Sequence, residues 1–211
     1  KLVGKKILVT GGASFIGSNL VEKLIRHDAI PIVLDDLSTG NMENIFFKLD
    51  IYGKFIKGSV TDKSLIEKLI PEIDIIIHLA ARNIILSTKN PFSDYETNIG
   101  GTLTILQELR KYPEKRMVYS SSCSIYGNSK IIPTSEDETP FTYSPYAVSK
   151  LAGENYCRAF YETYGLNTCV LRYSNVYGPK QISINPYCGV IGKFLEIFFM
   201  SPILKLCTTE G

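Results

Sequence analysis

Ile7-Leu8-Val9-Thr10-Gly11-Gly12-Ala13-Ser14-Phe15-Ile16-Gly17 runs from a short apolar stretch through a glycine turn into the amphipathic segment Phe15 to Arg26. A strand, a tight turn and a helix in that order aim backbone N–H groups from the positive end of the helix, and small residues let a pyrophosphate come close to them. Asp35, about 20 residues further on at the end of a second apolar run, is placed to accept hydrogen bonds from ribose hydroxyls, and Asp36 beside it would repel a 2′-phosphate. That combination favours NAD over NADP. A plain βα turn followed by a solvated acidic pair would carry the same residues, so the stretch decides the fold before it decides a ligand.

The same alternation continues outward. Ile30 to Leu34, Phe55 to Lys57, Ile73 to Leu79, Arg116 to Ser120 and Thr168 to Arg172 read as strands; Thr61 to Ile70, Asp94 to Lys111 and Tyr146 to Tyr164 read as helices. Continuous apolar strands separated by helices imply a parallel sheet covered on both faces, the doubly wound α/β fold. Its crevice lies at the carboxyl ends of the strands. Thr10-Gly11-Gly12, Asp35-Asp36, His78-Leu79-Ala80-Ala81 and Ser120-Ser121-Ser122 all fall there. The polar segment from Asn128 to Tyr143 is a loop expected to rim the mouth of that crevice.

Composition narrows the class. The 211 residues suffice for one well-buried domain and a partial second lobe. With 23 basic and 21 acidic residues the net charge is +2, and no dense basic block is present, so nucleic acid is not an expected partner. Five dispersed cysteines without a C-x-x-C pair, and two histidines, His27 and His78, leave little from which to build a metal site. Free thiols and an N-terminus without a signal-peptide pattern suggest the cytoplasm. The most apolar run, Val190 to Cys207, is interrupted by Lys193, Glu196, Pro202 and Lys205 and reads as a buried helix and strand, with no membrane span.

Tyr146 and Lys150 stand four residues apart and so share a helix face. An ammonium beside a phenol lowers the phenol's pKa from about 10 and lets it exchange protons with an alcohol or sugar hydroxyl. Redox chemistry is the natural reading. His78, among Ile75-Ile76-Ile77 and Leu79, reads as a packed strand-end residue, and Cys123 has no nearby histidine to activate it.

Together with Asp35-Asp36-Leu37-Ser38-Thr39-Gly40, Asn98-Ile99-Gly100-Gly101-Thr102, Ser122-Cys123-Ser124-Ile125-Tyr126-Gly127 and Arg172-Tyr173-Ser174-Asn175-Val176-Tyr177-Gly178-Pro179, these motifs resemble the extended short-chain dehydrogenase/reductase superfamily, in particular nucleotide-sugar epimerases of the UDP-glucose 4-epimerase type. The resemblance implies that Tyr146 removes the sugar 4-hydroxyl proton while the C4 hydride passes to NAD, giving a 4-keto sugar that is reduced again on its other face. It implies that Ser122 holds the reacting oxygen, Lys150 binds the nicotinamide ribose and depresses the Tyr146 pKa, and Asn98 supports the network. Gly11, Ser14, Phe15, Ile16, Gly17, Asp35, Asp36, Leu37, Ser38, Gly40, Ser59, Val60, Leu79, Ala80, Ala81, Asn98, Tyr146, Lys150 and Tyr173 match cofactor positions; Ser122, Ser124, Tyr146 and Asn175 match substrate positions.

Ser14 stands where the family usually has a middle glycine, Ser59 where an aspartate usually meets the adenine, and Ser174 where an aromatic is usual. Dehydratases and decarboxylases of the superfamily carry acidic residues just after the catalytic Ser/Thr; Cys123-Ser124 take those places. The alternatives kept open are a 4-reductase or dehydratase and an inactive NAD-binding homologue. Family chains run on for roughly another 100 residues, a domain-third of the usual size. The expected division is therefore 1–174, the NAD-binding Rossmann domain, and 175–211, an incomplete substrate lobe with apolar surface around Phe194, Ile197, Phe198 and Phe199. The helices Asp94 to Lys111 and Tyr146 to Tyr164 resemble those that pair as a four-helix bundle in family homodimers, and the expected substrate is a UDP-hexose.

Overall fold

The structure, a computed structural model, describes residues 2–45, 49, 51–181, 194, 197 and 198. They divide into two compact units, Lys1–Ser174 and Asn175–Gly211. The first is built on six parallel strands, β1 (Lys6–Thr10), β2 (Ile30–Asp35), β3 (Lys54–Lys57), β4 (Ile75–His78), β5 (Arg116–Ser122) and β6 (Asn167–Tyr173), in the order β3-β2-β1-β4-β5-β6. The order reverses between β1 and β4, which is where a doubly wound sheet opens its crevice. Register carries Thr10 opposite Leu34 and His78, and Ser122 opposite Tyr173, so the carboxyl ends share one edge.

Strand periodicity sorts the apolar residues onto two faces. Leu8, Ile32, Leu34, Ile76 and Met117 enter one core with Ile66 and Leu69 of α2 (Lys63–Leu69), with Ile105, Leu106 and Leu109 of α5 (Gly101–Leu109), and with Cys157 and Phe160 of α6 (Pro145–Tyr164). Ile7, Val9 and Val33 enter the other with Val21 and Leu24 of α1 (Phe15–Arg26). Both faces are apolar, as the near-continuous hydrophobic strands require.

The expected strands all appear, within two residues at either end. The helix expected from Asp94 is longer and irregular: α4 (Pro91–Asp94) continues through a π-helical stretch, Tyr95–Gly100, into α5. A short helix between them and β4, α3 (Ile84–Lys89), was not expected; Asn83 caps it by accepting from the N–H groups of Ile85 and Leu86. Helix α6 is bounded by Ser144, whose side chain accepts from Ala147 N, by Pro145 in its first turn, and by Gly165 at φ +68° after its end.

In the second unit Phe194, Ile197 and Phe198 are exposed. Phe199 and most of the run Val190 to Cys207 lie outside the described residues. Among the described residues no helix is long and apolar enough to cross a membrane.

Candidate active site

The nucleotide end of the crevice is made by backbone. Gly11 has φ +69°, and a Cβ there would sit 2.9 Å from Ala80 N, so the turn after β1 lies directly against the chain leaving β4. Ser14 occupies the helix N-cap: its Oγ accepts from Gly17 N at 3.3 Å and donates to Gly11 O at 2.6 Å. The serine at the middle-glycine position thus ties the turn to the helix it starts. Phe15 and Ile16 follow, half-buried in the first turn of α1.

Asp35, buried at the end of β2, accepts from Ala13 N at 2.9 Å and from Leu37 N at 2.8 Å. It braces the glycine turn and holds Leu37 in a left-handed conformation (φ +59°) that a leucine seldom adopts unaided. Burial pushes its carboxyl above the ordinary carboxylate range, against the two backbone bonds. Next to it, Ser38 donates to Asp36 from its N–H and its hydroxyl, and Arg82 donates to Asp36 at 3.2 Å and to Ser38 Oγ at 2.5 Å. Burial would raise Asp36, but the Ser38 bonds and the Arg82 guanidinium outweigh it and hold the carboxyl low. Asp36 is therefore not the bare charge read from sequence, because Arg82 balances it. Gly11, Ser14, Asp35, Asp36, Ser38, Ser59, Val60, Leu79, Ala80 and Ala81 line one cleft with Arg82 and Thr97. Gly40 backs onto the Asp35 carboxylate.

The other end is built from side chains. Lys150, buried in α6, donates from Nζ to Ser120 O at 2.7 Å, with the ammonium 5.2 Å from the Tyr119 ring centre and 5.7 Å from that of Tyr146. Ser122 accepts from Ser124 N at 3.1 Å, and its side chain acts to lower the pKa of the Tyr146 phenol. Tyr173 ends β6 opposite Ser122, and burial pushes its phenol up. Among the described residues Ser124 Oγ is the buried side-chain oxygen without a hydrogen-bond partner.

The expected lowering of the Tyr146 pKa does not occur. Burial of the phenol dominates and pushes its pKa up, with the Ser122 side chain opposing. Burial also brings Lys150 down to about 8. His78 is a packed residue, as read, bonded to Thr10 Oγ1 (2.7 Å) and Thr102 Oγ1 (3.0 Å) and neutral, its pKa lowered to about 3 by burial and then by Lys150. Cys123 is exposed.

Asn98, in the π-helical stretch, is fully engaged: Oδ1 accepts from Arg82 N at 2.7 Å, and Nδ2 donates to Arg82 O at 3.0 Å, Ser149 Oγ at 3.1 Å and Asp94 Oδ1 at 2.5 Å. Glu154, one turn beyond Lys150, accepts from Ser121 Oγ and from the forked guanidinium of Arg172, which also donates to Tyr126 OH at 2.6 Å and to Glu136 O at 2.8 Å. Asn175 opens the second unit and is exposed. Sequence reading missed Arg82, Asp94 and Glu154. Glu154 had a signal, since 146, 150 and 154 continue one helical face.

Residues 7–198 match the sequence profile of the NAD dependent epimerase/dehydratase family. The chain belongs to that family. It is 39% identical to the UDP-glucose 4-epimerase of Thermotoga maritima, solved with UDP-glucose, with a TM-score of 0.85 over 92% of this chain and 62% of that one. It is 35% identical to the UDP-N-acetylglucosamine 4-epimerase of Methanobrevibacter ruminantium, solved with UDP-N-acetylmuramic acid, with a TM-score of 0.88 over 93% and 63%. A dTDP-D-glucose 4,6-dehydratase of Dictyostelium discoideum is 33% identical over 98% of this chain and 50% of its own. The chain thus spans between half and two thirds of the length of these relatives.

Proposed function

We propose that this chain is the cofactor-binding and catalytic part of an NAD-dependent nucleotide-sugar 4-epimerase acting on a UDP-hexose. The observation that carries the reading is buried Lys150, anchored on Ser120 O with its ammonium 5.7 Å from the Tyr146 ring centre, at the same carboxyl edge of the sheet as Ser122 and the glycine-lined cleft. The lining of the cleft suits the adenosine and phosphate part of a dinucleotide, with the glycine turn and helix start for the phosphates and acidic residues for ribose hydroxyls beside them. Bound there, NAD supplies the acceptor and donor of hydride. Gly11 to Gly17, Leu37, Ser59, Val60 and Tyr173 would line it, and Lys150 would meet the nicotinamide ribose.

Tyr146 would take the 4-hydroxyl proton and return it to the 4-keto oxygen. Burial pushes the phenol up, which suits the return step, in which the protonated phenol gives its proton to the keto oxygen. Ser122 would hold the same oxygen. The unpartnered Ser124 hydroxyl supports a substrate contact nearby, and Asn175 would contact the diphosphate. A dehydratase has a counterpart among the relatives, but Cys123 and Ser124 provide no carboxylate to drive elimination.

Residues 175–211 would begin the substrate lobe. A homodimer through α4–α5 and α6 has support in the exposed Phe92, Tyr95, Val148 and Tyr156, and a cytoplasmic location is part of the same reading. The test is incubation with UDP-glucose, UDP-galactose and their N-acetyl forms, read by NMR for 4-epimers, with Tyr146→Phe as control. Epimers lost in the control are the expected result. A 4,6-dehydrated product, or none with NAD bound, overturns it.

A further inference from the structure

The two acids at the end of β2 have unlike partners. Asp35 is bonded to two backbone N–H groups, whereas Asp36 is paired with a cation from beyond another strand. Arg82 follows β4, and β1 lies between β4 and β2, so its side chain crosses two strand spacings, about 10 Å, past the end of β1. There Nη2 donates to Asp36 Oδ2 at 3.2 Å and Nη1 to Ser38 Oγ at 2.5 Å. The Ser38 N–H and hydroxyl occupy Asp36 Oδ1, so both carboxylate oxygens are taken.

This bridge lies where a ligand can meet it. Arg82, Asp36 and Ser38 line the nucleotide cleft together with Asp35, and the side chains of the pair are 22% and 33% exposed. Among the described residues that line the cleft, Arg82 is the one cation. A guanidinium fork matches the oxygens of a phosphate through two parallel hydrogen bonds, and a phosphate monoester brings more negative charge to it than a carboxylate does.

We infer that Arg82 is a specificity-determining residue of the cofactor site: it cancels the charge of Asp36 and offers its fork to a 2′-phosphate, so that the cleft admits NADP as well as NAD. Without it, two adjacent carboxylates would face the added phosphate, and such repulsion is how a site rejects a wrong ligand. Asp35 still favours free ribose hydroxyls, so NAD stays the tighter of the two. The inference rests on the cofactor-binding part of the proposed function and is independent of the sugar chemistry.

The experiment is calorimetric binding of NAD, NADP, 5′-AMP and adenosine 2′,5′-bisphosphate to the whole chain, with no sugar present. The last two differ only in the 2′-phosphate. In Arg82→Gln, which keeps a donor and removes the charge, the ratio of their affinities is expected to swing about tenfold against the 2′-phosphate, the lower end for hydrogen bonds to a charged group. The NADP to NAD ratio should swing with it. Asp36→Asn, which frees the fork, is expected to move both ratios the other way. Should Arg82→Gln not fold, Asp36→Asn carries the test by itself. Ratios that stay fixed in Arg82→Gln, or a 2′-phosphate that gains nothing in Asp36→Asn, overturn the inference. A wild type that binds NAD without turning over any sugar strikes the epimerase reading alone, and one that binds none of the four nucleotides overturns both.

Discussion

The two ends of the crevice are held in different ways. At the nucleotide end the turn itself is tied by near neighbours, Ser14 to Gly11 and Gly17 and Asp36 to Ser38, with Asp35 reaching back to Ala13 and Arg82 across to Asp36. At the catalytic end the partners come from remote elements: Lys150 reaches Ser120, Ser149 reaches Asp94, and Glu154 reaches Ser121 and Arg172. The first end is set by chain conformation, so steric changes should damage it most. The second is set by buried charge and hydrogen bonding, so loss of a partner should damage it most.

Gly17→Ala tests the first half and has the largest expected effect. A Cβ at this position would fall 2.2 Å from Gly11 O, a backbone atom with nowhere to retreat. The expected loss is about 3 kcal/mol, the upper range for overpacking, read by urea denaturation, together with weakened NAD binding. A stable variant with normal NAD affinity would mean that the turn is slack and the contrast between the ends is false.

Glu154→Gln tests the second half. The variant keeps the shape but removes the charge that Arg172 grips, and the expected cost is about 2 kcal/mol, the range for hydrogen bonds to charged groups. Arg172 also holds Tyr126 and the Glu136 carbonyl, so proteolysis within the 128–143 loop should speed up as well. If stability falls while the loop stays protected, the pair acts only on the strand edge.

This difference also explains what could be read in advance. The turn from Thr10 to Gly17 was legible because its partners lie within a few residues, and the acids at the end of β2 because they close an apolar run; their bonds to Ala13 and Arg82 were not. Tyr146 and Lys150 were legible as a helical pair, but the effect of one on the other was not. The shift at Tyr146 is set by how deeply the fold buries the phenol, which the local sequence does not show. Asp94 read as the start of a helix because nothing local distinguishes it from any first-turn acid; its bonds need Ser87 and Ser149 brought together by the fold. Arg82 follows an alanine pair whose spacing gives no hint that its side chain crosses to β2.

The smallest effect belongs to that crossing. Asp36 is held below its ordinary range by Ser38 and Arg82, so its contribution to stability is present above the unfolded carboxylate value, about 3.9, and is lost as pH falls through the lower folded one. The pair is a third exposed on the Asp36 side, and water screens it, so Asp36→Asn should cost less than about 1 kcal/mol at neutral pH. The gap between variant and wild type, measured by urea denaturation across pH, should begin to narrow below about pH 4 and close only once pH has fallen through the lowered folded value, where the Asp36 carboxyl is protonated in both states. If a constant gap persisted into acid, what Asp36 contributes would be the shape of the Leu37 turn rather than its charge. The nucleotide end would then be conformational throughout.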